Sequence, residues 1–231
     1  MSEKSTALII GASRGLGLGL AREYLRRGWS VVATVRSESG QTALHELQKS
    51  YHALEIETVD ITKPDEVDAL FARCRDRSFE LLFVNAGVTN DPQETVDQVS
   101  TEEFVRVMVT NSLSPMRVVE RLVECVCPKG MIAVMSSELG SIAGNTSGGW
   151  EVYRGSKAAL NTLMKSLVAR RIADTRTFYV VAPGWVRTDM GGPEALLDIE
   201  TSIPGVVDAL EHYRGTSGLV FTNYRKEILP W

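Results

Sequence analysis

Cysteine, histidine and long apolar runs are what this chain has least of. Its three cysteines, Cys74, Cys125 and Cys127, are an odd number, which argues against a disulfide framework and fits a reducing compartment such as the cytoplasm. Cys125-x-Cys127 lacks the spacing of a redox pair or a zinc knuckle, and His45, His52 and His212 are scattered, so no metal site is expected. No window holds the roughly 18 consecutive apolar residues of a membrane span. The apolar run in MSEKSTALIIGAS is too short, and too soon broken by glycine, for a signal peptide. A basic excess is missing as well: 25 Lys and Arg against 29 Asp and Glu leave a formal net charge of −4. A phosphate-backbone binder needs the opposite balance, so nucleic acid is not an expected partner. No Pro- or Ser-rich linker divides the 231 residues, and one domain over 1–231 is expected.

What is present is alternation. Short apolar runs at 6–10 (TALII), 30–35 (SVVATV), 53–59 (ALEIETV), 81–84 (LLFV), 131–136 (MIAVMS), 177–182 (TFYVVA) and 218–221 (GLVF) predict seven strands, apolar on both faces as in a parallel sheet. Helical patterns at 15–27, 38–51, 64–77, 101–126, 152–172 and 204–213 fall between them, with Pro64 placed for a first helical turn. Such alternation with short connections implies right-handed crossovers and a doubly wound α/β sheet with helices on both faces. Ligands of these sheets sit beyond the carboxyl ends of the strands, and the unusual residues gather there. Glycines follow the first strand, Arg36 the second, Asp60 the third, Asn85-Ala86-Gly87 the fourth, Ser136-Ser137 the fifth and Pro183-Gly184 the sixth.

The glycines lie in IIGASRGLGLGL, residues 9–20. A G-x-G-x-x-G fingerprint fails because Leu20 stands where its third glycine belongs, and no Gly-Lys-Ser/Thr follows to make a Walker A loop. The spacing that does fit is G-x-x-x-G-x-G across Gly11, Gly15 and Gly17. It brings backbone N–H groups and a helix N-terminus to a pyrophosphate. A glycine-rich strand-to-helix turn without a ligand is the plainer alternative, and Gly19 reads as a packing glycine.

GASRGLG (11–17), NAG (85–87), YRGSK (153–157) and PGWVRT (183–188) occur together, in order, over essentially the whole chain. In this the sequence resembles the short-chain dehydrogenase/reductase family. It departs at Ile10, where the family usually has Thr, and at Val84, where it usually has a first Asn. Within the family GNTSGGWEVYRGSKAALN, PGWVRTDMGG and LPW are similar to the C-factor and Sniffer-like carbonyl reductases. The resemblance implies a single-domain Rossmann fold and a homodimer or homotetramer through the helices at 101–126 and 152–172, although some carbonyl reductases are monomers.

By the same resemblance the catalytic residues are Asn111, Ser137, Tyr153 and Lys157. Tyr153 and Lys157 are four apart and share one helix face. A lysine ammonium close by, with an oxidised nicotinamide, favours tyrosinate over the free value of about 10, making Tyr153 a general acid for ketone reduction and a base for alcohol oxidation. Ser137 hydrogen-bonds the substrate carbonyl; Ser136 and Ser141 compete for that role, but Ser137 stands three before Gly140, as in the family's Ser-x-x-Gly. The family's asparagine, here Asn111, uses a main-chain group to hold a water against the lysine. An interval between Ser137 and Tyr153 longer than the family's suggests a small inserted loop at GNTSGG.

An NAD enzyme usually carries an acid after its second strand, whereas this chain has Arg36 and no acid until Glu38. Arg14 in the glycine turn is a second cation, and two guanidiniums suit a 2′-phosphate, so NADP(H) is the expected cofactor. The family's cofactor contacts map onto Gly11, Ser13, Arg14, Gly15, Leu16, Gly17, Arg36, Asp60 and Ile61 at the adenosine and pyrophosphate end. Asn85, Ala86 and Gly87 fall at the ribose, with Tyr153, Lys157, Pro183, Gly184, Val186 and Thr188 at the nicotinamide. Residues 189–205 offer Met190, Leu196, Leu197 and Ile199 to a small, open, mostly apolar site with Trp150 and Trp185, suited to a small-molecule carbonyl or alcohol. A cofactor-binding signalling protein without turnover is the competing function. A nucleotide-sugar epimerase shares Tyr-x-x-x-Lys but carries a larger substrate domain than the ~70 residues after Lys157 allow.

Overall fold

The computed structural model describes residues 4–37 and 40–231. Seven strands form one sheet: β1 (Thr6–Ile10), β2 (Ser30–Val35), β3 (Leu54–Thr58), β4 (Phe79–Val84), β5 (Val126–Met135), β6 (Thr177–Ala182) and β7 (Gly218–Asn223). Their order is β3-β2-β1-β4-β5-β6-β7 and every pair is parallel. Parallel neighbours need crossovers, supplied by α1 (Gly15–Arg26), α2 (Ala43–Ser50), α3 (Pro64–Cys74), α4 (Thr101–Met108) continuing into α5 (Ser114–Leu122), α6 (Glu151–Arg170) and α7 (Ile199–His212). This is the doubly wound Rossmann fold expected from the alternation.

Strand residues alternate between two cores. Leu8, Ile10, Leu82, Val84, Ile132 and Val134 pack against α3, α5 and α6 through Leu70, Val119, Leu160 and Met164. Ala7, Ile9, Leu81, Phe83, Met131 and Ala133 face α1, α2 and α7 through Leu20, Tyr24, Leu44 and Val206. Burial on both faces is why the strands read as unbroken apolar runs.

Three elements differ from expectation. The helix expected over 101–126 is α4, a π turn (Val109–Leu113), α5 and a short 3-10 turn, and β5 already begins at Val126. Pro115 has no N–H to offer Asn111 four residues earlier, and the Ser114 N–H bonds to Val109 O, five residues back. The last helix starts at Ile199 rather than 204: Asp198 Oδ1 accepts the Thr201 N–H at 2.8 Å, and Pro204 lies inside the helix. The second helix is confined to Ala43–Ser50, and Glu38 and Ser39, where it was expected to begin, lie outside the described residues.

Gly19 is a packing glycine, as its position suggested. A Cβ there would stand 2.6 Å from Ile199 Cγ2 and 3.1 Å from Ile203 Cγ1, so α1 and α7 touch through it. Gly19→Leu is expected to lower stability by about 1–3 kcal/mol through overpacking, read as a lower urea midpoint at unchanged m-value. An unshifted midpoint contradicts the close approach.

Candidate active site

The strand order switches sides between β1, from which the sheet grows outward to β2 and β3, and β4, from which it grows to β5–β7. The crevice at the carboxyl ends of β1 and β4 is therefore the ligand position of this fold. Gly11, at φ +84°, packs so close to β4 that a Cβ would lie 3.1 Å from Ala86 N. At Gly17 a Cβ would lie 2.1 Å from Gly11 O and 2.7 Å from Asn85 Nδ2. Asn85 Nδ2 donates to Gly11 O at 3.0 Å, and the Gly11 N–H donates to Thr34 Oγ1 at 3.0 Å. Thr34 on β2 thus fastens the turn from the neighbouring strand, beside a position, Ile10, where no hydroxyl is available. The turn feeds directly into α1, whose first helical residue is Gly15. Asn85 Oδ1 is a buried acceptor without a partner. A backbone cradle at a helix N-terminus, with an unsatisfied acceptor at its rim, fits a dinucleotide.

The four expected catalytic residues converge beside this cradle. Ser137 follows β5, its Oγ accepts the Leu139 N–H at 3.1 Å, and it lies near enough to the Tyr153 hydroxyl to pull its pKa down. Its two rivals are engaged elsewhere: Ser136 Oγ donates to Asn161 Oδ1 at 2.7 Å, and Ser141 Oγ accepts the Gly144 N–H at 2.9 Å. Tyr153 and Lys157 lie on one face of α6, the ammonium 5.6 Å from the tyrosine ring centre. Lys157 Nζ donates to Met135 O at 2.9 Å. Asn111 sits in the π turn, where π geometry often marks a functional site. Its Nδ2 donates to Val88 O and Ser156 Oγ, and its Oδ1 accepts the Val88 N–H. Because position 115 is proline, the Asn111 carbonyl lacks its α-helical donor.

At the neighbouring strand ends, Arg36 is exposed after β2 and Asp60 half-buried after β3, with Ile61 buried beside it. Burial works to raise the Asp60 pKa. Hydrogen bonds from the Thr62 hydroxyl and N–H, with Lys63 and Arg36 nearby, outweigh it and hold the carboxyl below its usual value. Arg14 reaches across the crevice to form an ion pair with Asp189 in the loop after β6. That loop closes on itself: Leu197 N–H donates to Trp185 O, Arg187 N–H to Leu197 O, and Gly191 N–H to Thr188 Oγ1 at 3.1 Å.

A cavity of about 400 Å³ opens between Tyr153 and this loop, lined by Ser137, Leu139, Trp150, Trp185, Met190 and Leu16 from the glycine turn. Three of the apolar residues expected there are elsewhere. Leu196 is 80% exposed, Leu197 packs against Gly184, and Ile199 packs against Gly19 on the far side of α7. With the loop folded back at Val186–Leu197, none of the three lines the cavity. Trp150 takes a left-handed conformation, φ 54°, after two glycines that do the same. Its ring meets Tyr153 edge-on at 5.8 Å. Arg154 holds the preceding loop by donating to Gly149 O, Gly148 O and Ser147 Oγ.

The profile of the short chain dehydrogenase family matches residues 5–195. The chain belongs to the short-chain dehydrogenase/reductase family. A protein of Burkholderia multivorans described as a short-chain dehydrogenase/reductase, solved with bound NADP, is 53% identical and superposes at a TM-score of 0.97, covering 99% of this chain and 100% of that one. The carbonyl reductase Sniffer of D. melanogaster is 31% identical at a TM-score of 0.88, with 99% and 100% covered. The C-signal protein of Myxococcus xanthus is 31% identical over 154 residues, 66% of this chain and 92% of that protein.

This short-chain dehydrogenase/reductase uses residues that the motifs alone do not mark. Ser156, inside YRGSK, accepts from Asn111, donates to Tyr153 O at 2.7 Å, and offers its carbonyl to Ser112 Oγ. It ties the π turn to α6. Buriedness sets the two titrations. Burial pushes Tyr153 up to about 12 against the pull of Ser137, so the lowering expected from Lys157 does not prevail and Tyr153 stays protonated. Burial also pulls Lys157 down to about 8 from 10.5. Between those values the unfolded chain binds a lysine proton that the folded one does not, so stability rises with pH there; below about 8 both bind it. The stability of the cofactor-free protein relative to Lys157→Met is therefore expected to climb as pH rises from 8 towards 10 and to be level below that window. Thermal denaturation across pH checks it, and a difference flat at all pH contradicts the buried charge.

Proposed function

We propose that this NADP(H)-dependent oxidoreductase is a carbonyl reductase that reduces small aldehydes or ketones, with Tyr153 as the general acid. The observation that carries the reading is the meeting of Ser137, Tyr153, Lys157 and Asn111 at the mouth of the glycine cradle. A protein that only bound the cofactor would have no need of a buried proton donor, Tyr153, facing a cavity beside Ser137. The single-domain assignment over 1–231 belongs to the same reading.

The turn from Gly11 through Ser13, Arg14, Gly15 and Leu16 to Gly17 would hold the pyrophosphate at the N-terminus of α1, Gly11 by its close approach rather than by its N–H, which Thr34 takes. Asp60 and Ile61 would flank the adenine, Asn85, Ala86 and Gly87 the ribose, and Arg36 with Arg14 the 2′-phosphate. Arg14 would share its charge between that phosphate and Asp189. Pro183 and Gly184 would lie against the nicotinamide, with Val186 and Thr188 at its carboxamide. When bound, the dinucleotide supplies a hydride to the carbonyl carbon.

The remaining work falls to the chain. Charge builds on the carbonyl oxygen, where the Ser137 hydroxyl donates a hydrogen bond and stabilises it. Tyr153 Oη delivers its proton to the same oxygen, and a phenol held up to about 12 keeps that proton at neutral pH until it is needed. The Lys157 ammonium favours the tyrosinate that remains. The Asn111 carbonyl, free of its helical donor, is an acceptor for a water on the path that returns a proton to Tyr153.

Tyr153→Phe is expected to lower kcat for carbonyl reduction by about 10²-fold or more while NADPH still raises the melting temperature. If neither wild type nor variant oxidises NADPH with any carbonyl, yet NADPH still stabilises both, the enzyme reading is wrong and the signalling reading suggested by C-signal gains. Arg36→Asp is expected to weaken NADPH binding at least ~10-fold more than NADH binding. Equal losses by titration calorimetry sink the 2′-phosphate assignment.

A further inference from the structure

Charge around the catalytic cavity is uneven. Among the described residues lining it, Glu138 alone carries a formal charge, with no lysine or arginine. Glu138 directly follows Ser137, at the start of a single 3-10 turn that ends at Gly140. Its side chain is exposed at the rim of the cavity, on a turn whose backbone is held in place. Gly140, where a Cβ would lie 3.0 Å from Lys157 Cβ, locks that turn against α6, and Asn161 Nδ2 donates to Gly140 O at 3.1 Å. Asn223, 1% exposed at the end of β7, donates from Nδ2 to Glu138 Oε1 at 3.3 Å.

Among the described residues, three cations around the mouth are paired with carboxylates, and Arg154 donates to main-chain and hydroxyl oxygens of the loop before Trp150. Arg14 pairs with Asp189, Arg187 with Asp198 at 3.4 Å, and Arg225 with Glu227 at 3.1 Å. Lys157 is 3% exposed behind Tyr153 and spends a proton on Met135 O. The remaining walls are apolar: Leu139, Trp150, Trp185 and Met190. A cleft with low-dielectric walls and charge of one sign focuses that field on whatever enters.

Resting on the carbonyl-reductase reading, we propose that Glu138 is a specificity-determining residue: the site takes uncharged or cationic carbonyl compounds and turns away those carrying a carboxylate or phosphate. The discrimination comes from repulsion rather than from a dedicated contact. The proton donor and hydride path are untouched by it, so neutral and anionic substrates differ chiefly in how readily they enter and stay.

Benzaldehyde, 4-carboxybenzaldehyde and 4-(trimethylammonio)benzaldehyde test it, because they place the reacting carbonyl alike and differ in charge. In wild type with NADPH at low salt, kcat/KM for the carboxylate is expected to fall at least about fivefold below the neutral aldehyde, with the cation equal to it or above. Glu138→Gln, which keeps an oxygen for Asn223, is expected to shrink the neutral-to-anion ratio to within about twofold, and Glu138→Lys to invert it. In wild type alone, raising the salt from 0.01 M to 1 M is expected to narrow the ratio. A ratio unchanged in both variants and by salt overturns the proposal, as does a wild type that favours the carboxylate.

A binding arm separates this from failure of the reductase reading. The corresponding benzyl alcohols, which NADPH cannot reduce, are titrated calorimetrically into the NADPH-bound protein and its Glu138→Gln variant. If no aldehyde turns over, the reductase reading fails. The alcohols still report the selectivity: weaker binding of the anion, relieved in Glu138→Gln, upholds the charge discrimination, and equal affinities overturn it.

Discussion

A lysine withdrawn almost wholly from water is the constraint around which this site is arranged. Lys157 is 3% exposed, and an ammonium so placed is costly unless something accepts its protons. One acceptor is fixed by the sheet itself, the carbonyl of Met135 at the end of β5. The rest of the neighbourhood gives way to make room. A Cβ on Gly87 would stand 3.4 Å from both Lys157 Nζ and Asn111 Oδ1, and one on Gly140 would stand 3.0 Å from Lys157 Cβ. The glycine in Ser-x-x-Gly is thus accounted for by the close approach of Lys157, whereas at Gly87 a Cβ would be in ordinary contact with it.

The same economy of contact explains how the two long helical segments cooperate. Ser156 precedes Lys157 and bonds outward to Asn111 while bonding inward to the Tyr153 carbonyl. Asn111 in turn pins Val88, just past NAG, by both its amide groups. The end of β4, the π turn and α6 are therefore one hydrogen-bonded unit. The chemistry assigned to Tyr153 depends on that unit being rigid, because proton transfer requires approach within about 3 Å. Fold and site meet here: the parallel sheet fixes the strand ends, and the polar knot fixes the helices relative to them.

Much of this was legible in the amino-acid order. Parallel strands buried on both faces announce themselves as apolar runs, and Tyr153 with Lys157 need only helical spacing to share a face. Gly11 and Gly17 were legible as a close approach, though the partner surface, Ala86 and Asn85, was not. What escaped depends on loop closure or on bonds distant in sequence. Leu196, Leu197 and Ile199 looked like pocket residues until the loop after β6 turned back on Trp185. The start of α7 was masked by Pro204, a common helix-opening residue that here sits inside the helix, although Asp198-x-x-Thr201 carried the capping signal. Pro115 was visible as a missing N–H, but only the structure links it to a π turn at Asn111. The bearing of Asn223 on Glu138 spans 85 residues and leaves no local trace.

The buried lysine can be observed directly. An NMR titration of the Lys157 ε-carbon, selectively labelled in the cofactor-free protein and assigned with Lys157→Met, follows its protonation against pH. The expected result is a midpoint at about 8, well below the surface lysines. A midpoint near the ordinary lysine value of about 10.4 would contradict the account, because the ammonium would then be solvated rather than enclosed beside the Met135 carbonyl.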